Sequence, residues 1–181
     1  MRTLLTAIFL LTLPRPLPDP PELDRLDQCI HLRFQDRTAF GMRRILPMAQ
    51  HAVQAFRPEN AAEQAAVDAL RAEGFEMALF LAGRGTLAST GPFVDPRRAR
   101  LQGPALITPL TADLPDRDSM LADARSAIGK GASYTIRRGE WSIAFRPLRA
   151  TNAGCVACHS TGEAVELGDV LGVATYVFRR H

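Results

Sequence analysis

The sequence predicts an α+β domain: an antiparallel sheet carrying helices on one side. Helical periodicity dominates the first part of the chain. Strand-like runs then follow, and one short helical stretch separates two of them from three more. From Glu22 to about Phe56, the residues Leu23, Leu26, Ile30, Phe34, Ile45, Met48, Ala52 and Phe56 fall near one face of a helix. Gly41 and Pro47 interrupt this stretch, which predicts a kink, or two helices with Pro47 in the first turn of the second. An alanine-rich helix is expected from Glu59 or Asn60 to Ala72, stopped by Gly74. Phe75 to Thr90 reads as strand, glycine turn, strand. Gly91 to about Pro115 is rich in proline and reads as a long loop. A short helix is expected from Ser119 to Ile128, capped by Asp118 or Ser119 and ended by Gly129. Ala132 to Ala150 reads as a hairpin turning at Arg138-Gly139, and Gly168 to Arg180 as a final strand.

A chain of 181 residues with 46% apolar residues fits one globular domain. The net charge of +3 is spread over short arginine groups such as Arg137-Arg138 and Arg179-Arg180. No long basic run or binding motif is present, which argues against nucleic acid as a partner. Arg2 and the apolar run Leu4–Leu13 have the form of a secretory signal. That run is too short to span a bilayer, which takes about 20 apolar residues. Residues 1–18 are therefore expected to be a signal peptide or an uncleaved anchor, with a proline-rich linker to about 21 and a single domain over 22–181. The chain is expected to be exported, periplasmic in a bacterium, and to meet a membrane only through an uncleaved N-terminal segment.

The segment Thr151–Thr161, TNAGCVACHST, carries the chemistry. Cys155, Cys158 and His159 spell the attachment pentad of c-type haem. Two thiols separated by two residues can add to the two vinyl groups of one porphyrin. The next residue, His159, then lies under the ring, where it can bind iron as the proximal ligand. Gly154 and the small Ala153 and Ala157 allow close approach of a flat ring. A thioredoxin-like dithiol would sit in a βαβ unit, and a structural zinc site would need further paired ligands. Of the remaining cysteines and histidines, Cys29, His31, His51 and His181 have no paired spacing. The expectation is one covalent haem c, with a dithiol redox or metal-binding protein as the alternative.

Trp141 to Arg180 resembles the C-terminal half of the PAS-like or Cache-like c-type haem domains, which occur as stand-alone exported proteins and as extracytoplasmic sensor domains. The shared pattern is a strand ending in Phe145-Arg146-Pro147-Leu148, a short gap, the Cys-x-x-Cys-His, then Gly168-Asp169 and Leu171-Gly172 opening the last strand. The resemblance implies a PAS-like antiparallel sheet with N-terminal helices packed on it, covalent haem c, and a role in redox or ligand sensing or in electron transfer. Some members of that family use a cysteine as distal iron ligand.

Ordinary monohaem cytochromes c place a methionine ligand downstream of the motif. Only 22 residues follow His159 here and none is methionine. A distal ligand is therefore sought upstream. Cys29 is the first candidate, as an odd cysteine in an exported chain. Met48, in the apolar stripe, and His51, at its edge, are the alternatives, with Met42, His31, water or an open site behind them. The identity matters, because thiolate lowers the iron potential, methionine raises it, and an open site admits a small gas ligand. Arg97, Arg98 and Arg100 are candidates for pairing with haem propionates, or simply a solvated loop.

No nucleophile–base set, phosphate loop or carboxylate pair stands out, so no catalytic residue is assigned. A peroxidase or reductase would rest on the haem itself, with His51 as its one acid–base candidate. The expectation is an electron carrier or sensor acting with a separate redox or signalling protein.

Overall fold

Along β2 (Phe75–Gly83) the side chains part by parity. Phe75, Met77, Leu79 and Leu81 enter one apolar cluster, and Ala78, Phe80 and Ala82 enter another. A strand covered on both faces has this pattern, since successive side chains point to opposite sides. The computed structural model describes residues 19–35, 53–83, 100–159 and 164–181. It shows an α+β chain with a six-stranded sheet and, among the described residues, four helices.

The other strands are β1 (Gln54–Ala55), β3 (Arg100–Leu106), β4 (Tyr134–Arg138), β5 (Trp141–Arg149) and β6 (Val170–Arg180). Their order is β1-β3-β2-β6-β5-β4. Every pairing is antiparallel except β1 with β3, so the sheet is mixed. The helices are α1 (Pro21–Gln35), α2 (Ala61–Ala72), α3 (Arg117–Lys130) and α4 (Ala153–His159).

α1 and α2 cover one face. Leu23, Leu26 and Ile30 of α1 and Val67 and Leu70 of α2 pack on Met77, Leu79, Tyr176 and Phe178. α3 covers the opposite face, where Met120, Ala124, Ala127 and Ile128 meet Phe80, Ile143, Phe145 and Val177. This corrects the expected arrangement with all helices on one side. Ala78, Phe80 and Ala82 on the second face are apolar too, so that face needs a cover of its own.

Local chemistry fixes the helix ends. Asn60 accepts a hydrogen bond from the Glu63 amide at 2.9 Å and caps α2. The Glu63 side chain is fully buried and turns back to accept from the Glu59 amide at 2.6 Å. It also pairs with Arg33 of α1, whose Nε donates to Oε1 at 2.6 Å. Arg33 further donates to the Arg57 carbonyl at 3.0 Å and stacks over Phe56. This buried pair ties α1 to α2. Asp116 caps α3, and Gly131 ends it in the left-handed region at φ 62°. The residues before α1 also hold the sheet: Asp19 accepts from Thr135 at 2.8 Å and from Arg146 at 2.5 Å.

Several elements differ from the sequence reading. Helix α3 runs two residues further at each end than expected, because the caps are Asp116 and Gly131 and not Asp118 or Ser119 and Gly129. The helical stretch from Glu22 does not reach Phe56, because Gln54–Ala55 is a strand beside β3; within the described residues α1 spans Pro21–Gln35. Residues 36–52, with Gly41, Met42, Pro47, Met48 and His51, lie outside the described residues. The long loop expected from Gly91 contains β3, which pairs with one edge of β2, with Gly83 opposite Arg100. The glycine turn and second strand expected up to Thr90 lie outside the described residues, as does the 1–18 segment. Among the described residues, no helix is long and apolar enough to cross a membrane.

At the far end of β2, Glu76 is 2% exposed and accepts from Arg179 Nε at 2.6 Å and the Thr111 amide at 2.9 Å. Burial pushes its pKa up, but the bonds from Arg179 and Thr111 outweigh this and hold it at about 2. A depressed carboxylate adds stability above its ordinary pKa near 4.5 and loses it as pH falls toward 2. Stability measured by urea unfolding is therefore expected to drop between pH 4.5 and pH 2. Glu76→Gln is expected to flatten that slope and to cost about 2 kcal/mol at neutral pH. An unchanged slope in the variant would contradict the assignment.

Candidate functional site

The Cys-x-x-Cys-His segment folds as α4, a short helix directly after β5. The sequence reading placed the motif only among strands, and the helix is set by the residue before it. Asn152 Oδ1 accepts from the amides of Gly154 at 2.9 Å and Cys155 at 3.1 Å, an N-cap that satisfies two orphan donors. On a helix, positions four apart share a face, so Cys155 and His159 stand one turn apart on one side of α4.

A β-bulge sets the wall behind this helix. Leu148 pairs with Gly172 while Arg149 pairs with Val170, leaving Leu171 as the extra residue. Leu171 joins Ala150 and Val165 in a small apolar cluster separate from the two main ones, and Cys155 and Val156 pack against it. The Leu171-Gly172 step read in the sequence is thus a bulge that packs one side chain against α4.

Cys155 is a free, half-buried thiol. His159 is partly buried, and burial pushes its pKa below the ordinary histidine value. The imidazole is therefore held neutral, which is the form that ligates a metal. The Cys155 thiol and the His159 imidazole, with Cys158 between them in the sequence and an apolar cluster behind the helix, form a donor set that fits haem c. Cys155 and Cys158 would carry the thioethers and His159 the iron.

The candidates for the distal position fare differently. Cys29 lies half-buried on α1, in the neighbourhood of the buried Tyr176 hydroxyl. The small apolar cluster at α4 contains no residue of α1. Met48, His51 and Met42 lie outside the described residues, as do Arg97 and Arg98. The terminal His181 is engaged elsewhere, 2.6 Å from Glu76.

His31 is committed to the fold. Its Nδ1 lies 2.8 Å from the Asp27 carbonyl and its Nε2 3.1 Å from the Pro147 carbonyl. Carbonyls only accept, so both ring nitrogens donate and the ring is an imidazolium. The Asp27 side chain leads in raising its pKa to about 9, against the opposing effect of burial. Asp27 also accepts from the buried Tyr176 hydroxyl at 2.8 Å. Sequence reasoning passed over the pairing of Asp27 with Tyr176 because 149 residues of chain separate them. A raised histidine pKa adds stability that is complete below about 6.5 and is lost as pH rises through about 9.

Among the described residues, no group of three or more His, Cys, Asp and Glu side chains converges as a metal site. In comparisons with known proteins, no family model matches the chain, and no curated protein and no solved structure matches it.

Proposed function

We propose that the protein is an exported monohaem c-type cytochrome with a PAS-like fold, serving redox or ligand sensing or electron transfer with a separate partner protein. The observation that carries this reading is α4, a capped helix that holds the contiguous Cys155–His159 motif and packs Cys155 on an apolar cluster. When bound, haem supplies a one-electron iron centre whose potential follows its axial ligands and its shielding from water. The chain's part is to hold the ring covalently, to present a neutral imidazole, and to back the site with Leu171 and Val165.

Sheet topology supports the PAS-like part of the reading. With β1 set aside, the strands are all antiparallel, and β2 and β6 lie side by side at the centre. Connections are short at the β4–β5 hairpin and long where α3 crosses. The expected exported location rests on the apolar N-terminal run.

Absorption spectra of oxidised, reduced and carbon-monoxide-treated protein test the reading. A Soret band with sharp reduced bands, insensitive to carbon monoxide, marks an electron carrier with both axial positions filled. A spectrum that shifts with carbon monoxide, or a ligand change on reduction, marks a sensor. Protein from a host able to attach haem c that shows no Soret band would overturn the proposal.

A further inference from the structure

The attachment helix sits on a loop whose two ends meet. Ala150 donates its amide to the Asp169 carbonyl at 2.8 Å, and Gly168 donates to the Ala150 carbonyl at 2.8 Å. The turn that closes the loop is held by the Glu166 amide donating to Asp169 Oδ2 at 2.9 Å. It needs glycine at 168, where φ is +95°. Among the described residues above this base, Val165 is covered and Cys155 and Val156 reach the small apolar cluster, while Thr151, Ala153, Ala157, Ala164, Glu166 and Leu167 are exposed. With only this small apolar footing, the segment depends on its base for its orientation.

We propose that Arg149 is the positioning residue of this loop, locking its base to α3 so that His159 is held in a fixed orientation. Arg149 is the last residue of β5 and stands at the bulge opposite Val170. Its Nη1 donates to the Gly168 carbonyl at 2.6 Å, and its Nη2 donates to the carbonyl of Gly131. Gly131 is the C-cap of α3, where carbonyls lack helical partners and the helix dipole favours a cation. One planar guanidinium thus bridges a rigid helix end and the exit of the attachment loop. Its forked donors suit two carbonyls at once, which a single ammonium matches less well. Gly131 is close to the clamp as well: a Cβ there would stand 3.4 Å from Arg149 Nη2. Arg149 is exposed, so the clamp is local and its loss leaves the main core intact.

The proposal rests on the haem reading for what the loop carries, while the clamp itself rests on the carbonyl geometry. The test compares full-length protein with Arg149→Ala and Arg149→Lys. Amide hydrogen exchange at Ala150 and Gly168 is expected to quicken about tenfold in Arg149→Ala, with β2 amides unchanged and partial rescue in Arg149→Lys. In haem-loaded protein, the ferric EPR signal is expected to broaden or shift in Arg149→Ala and to return toward the wild-type signal in Arg149→Lys. Unchanged exchange at the base, or a uniform rise across the chain, would overturn the clamp. Faster exchange with an unaltered EPR signal would overturn the positioning role, because the base would then be held without aligning His159. If wild-type protein carries no haem, the functional reading fails, while the exchange comparison still decides the clamp.

Discussion

Glu63→Leu is expected to lower the free energy of unfolding by about 3–5 kcal/mol, because it removes the hydrogen-bonded carboxylate of a buried guanidinium. Arg33 is 5% exposed and Glu63 fully buried, so water cannot replace the lost partner. The other contacts of Arg33 include the Arg57 carbonyl, the Phe56 ring and the Glu59 carboxylate at 3.6 Å. None of these three neutralises its charge at hydrogen-bond distance. A domain's whole stability is about 5–15 kcal/mol, so the single variant approaches collapse. Arg33→Met should be costly for the converse reason, since it leaves the Glu63 carboxylate buried. The double variant Arg33→Met/Glu63→Leu is expected to regain most of the loss, because two apolar side chains remove both desolvation penalties. Urea midpoints of the three variants check this. A double variant as unstable as the sum of the singles would show that the pair is not what joins α1 to α2.

The second large effect falls on the proposed site. His159→Ala leaves both thiols in place, so covalent attachment should survive while the proximal nitrogen is lost. The spectrum is then expected to lose its low-spin signature nearly completely and to regain it when imidazole is added. Cys155→Ala should behave differently: one vinyl stays conjugated, and the reduced pyridine adduct absorbs at longer wavelength than the doubly linked form. Identical spectra for wild type and His159→Ala would remove His159 from the iron.

Stability should also report the two titrating anchors. Glu76 gives up its contribution as pH falls from about 4.5 to about 2, and His31 as pH rises from about 6.5 to about 9. The window between about 4.5 and about 6.5 keeps both in full.

Legibility followed the range of the forces involved. α2 could be read because its cap, its alanine-rich body and Gly74 are neighbours in sequence. The β4–β5 hairpin could be read because its turn at Gly139 is local, with φ at 61°. The position of β3 could not, because its pairing with β2 is set by a distant strand and its own stretch, RLQGPAL, carries a glycine and a proline. The second helical layer was missed because parity along β2 offers apolar residues to both faces, whereas the expectation covered only one. At the site, Cys155, Cys158 and His159 were legible as a short contiguous motif. Asn152 as a cap and Leu171 as a bulge residue were not read, though a polar residue before a short helix and a Leu-Gly step are signals of the right kind. Arg149 gave no signal, because the carbonyls it binds, Gly131 and Gly168, lie 18 and 19 residues away on either side.

The most direct test of covalent haem is the mass of the tryptic peptide Ala150–Arg179, which contains both thiols and is independent of N-terminal processing. In protein from a host able to mature c-type cytochromes, this peptide is expected to be coloured and heavier than its amino acids by one haem. The Cys155→Ala/Cys158→Ala peptide is expected to have its bare mass. A wild-type peptide that is colourless and has the mass of its amino acids alone would contradict the account.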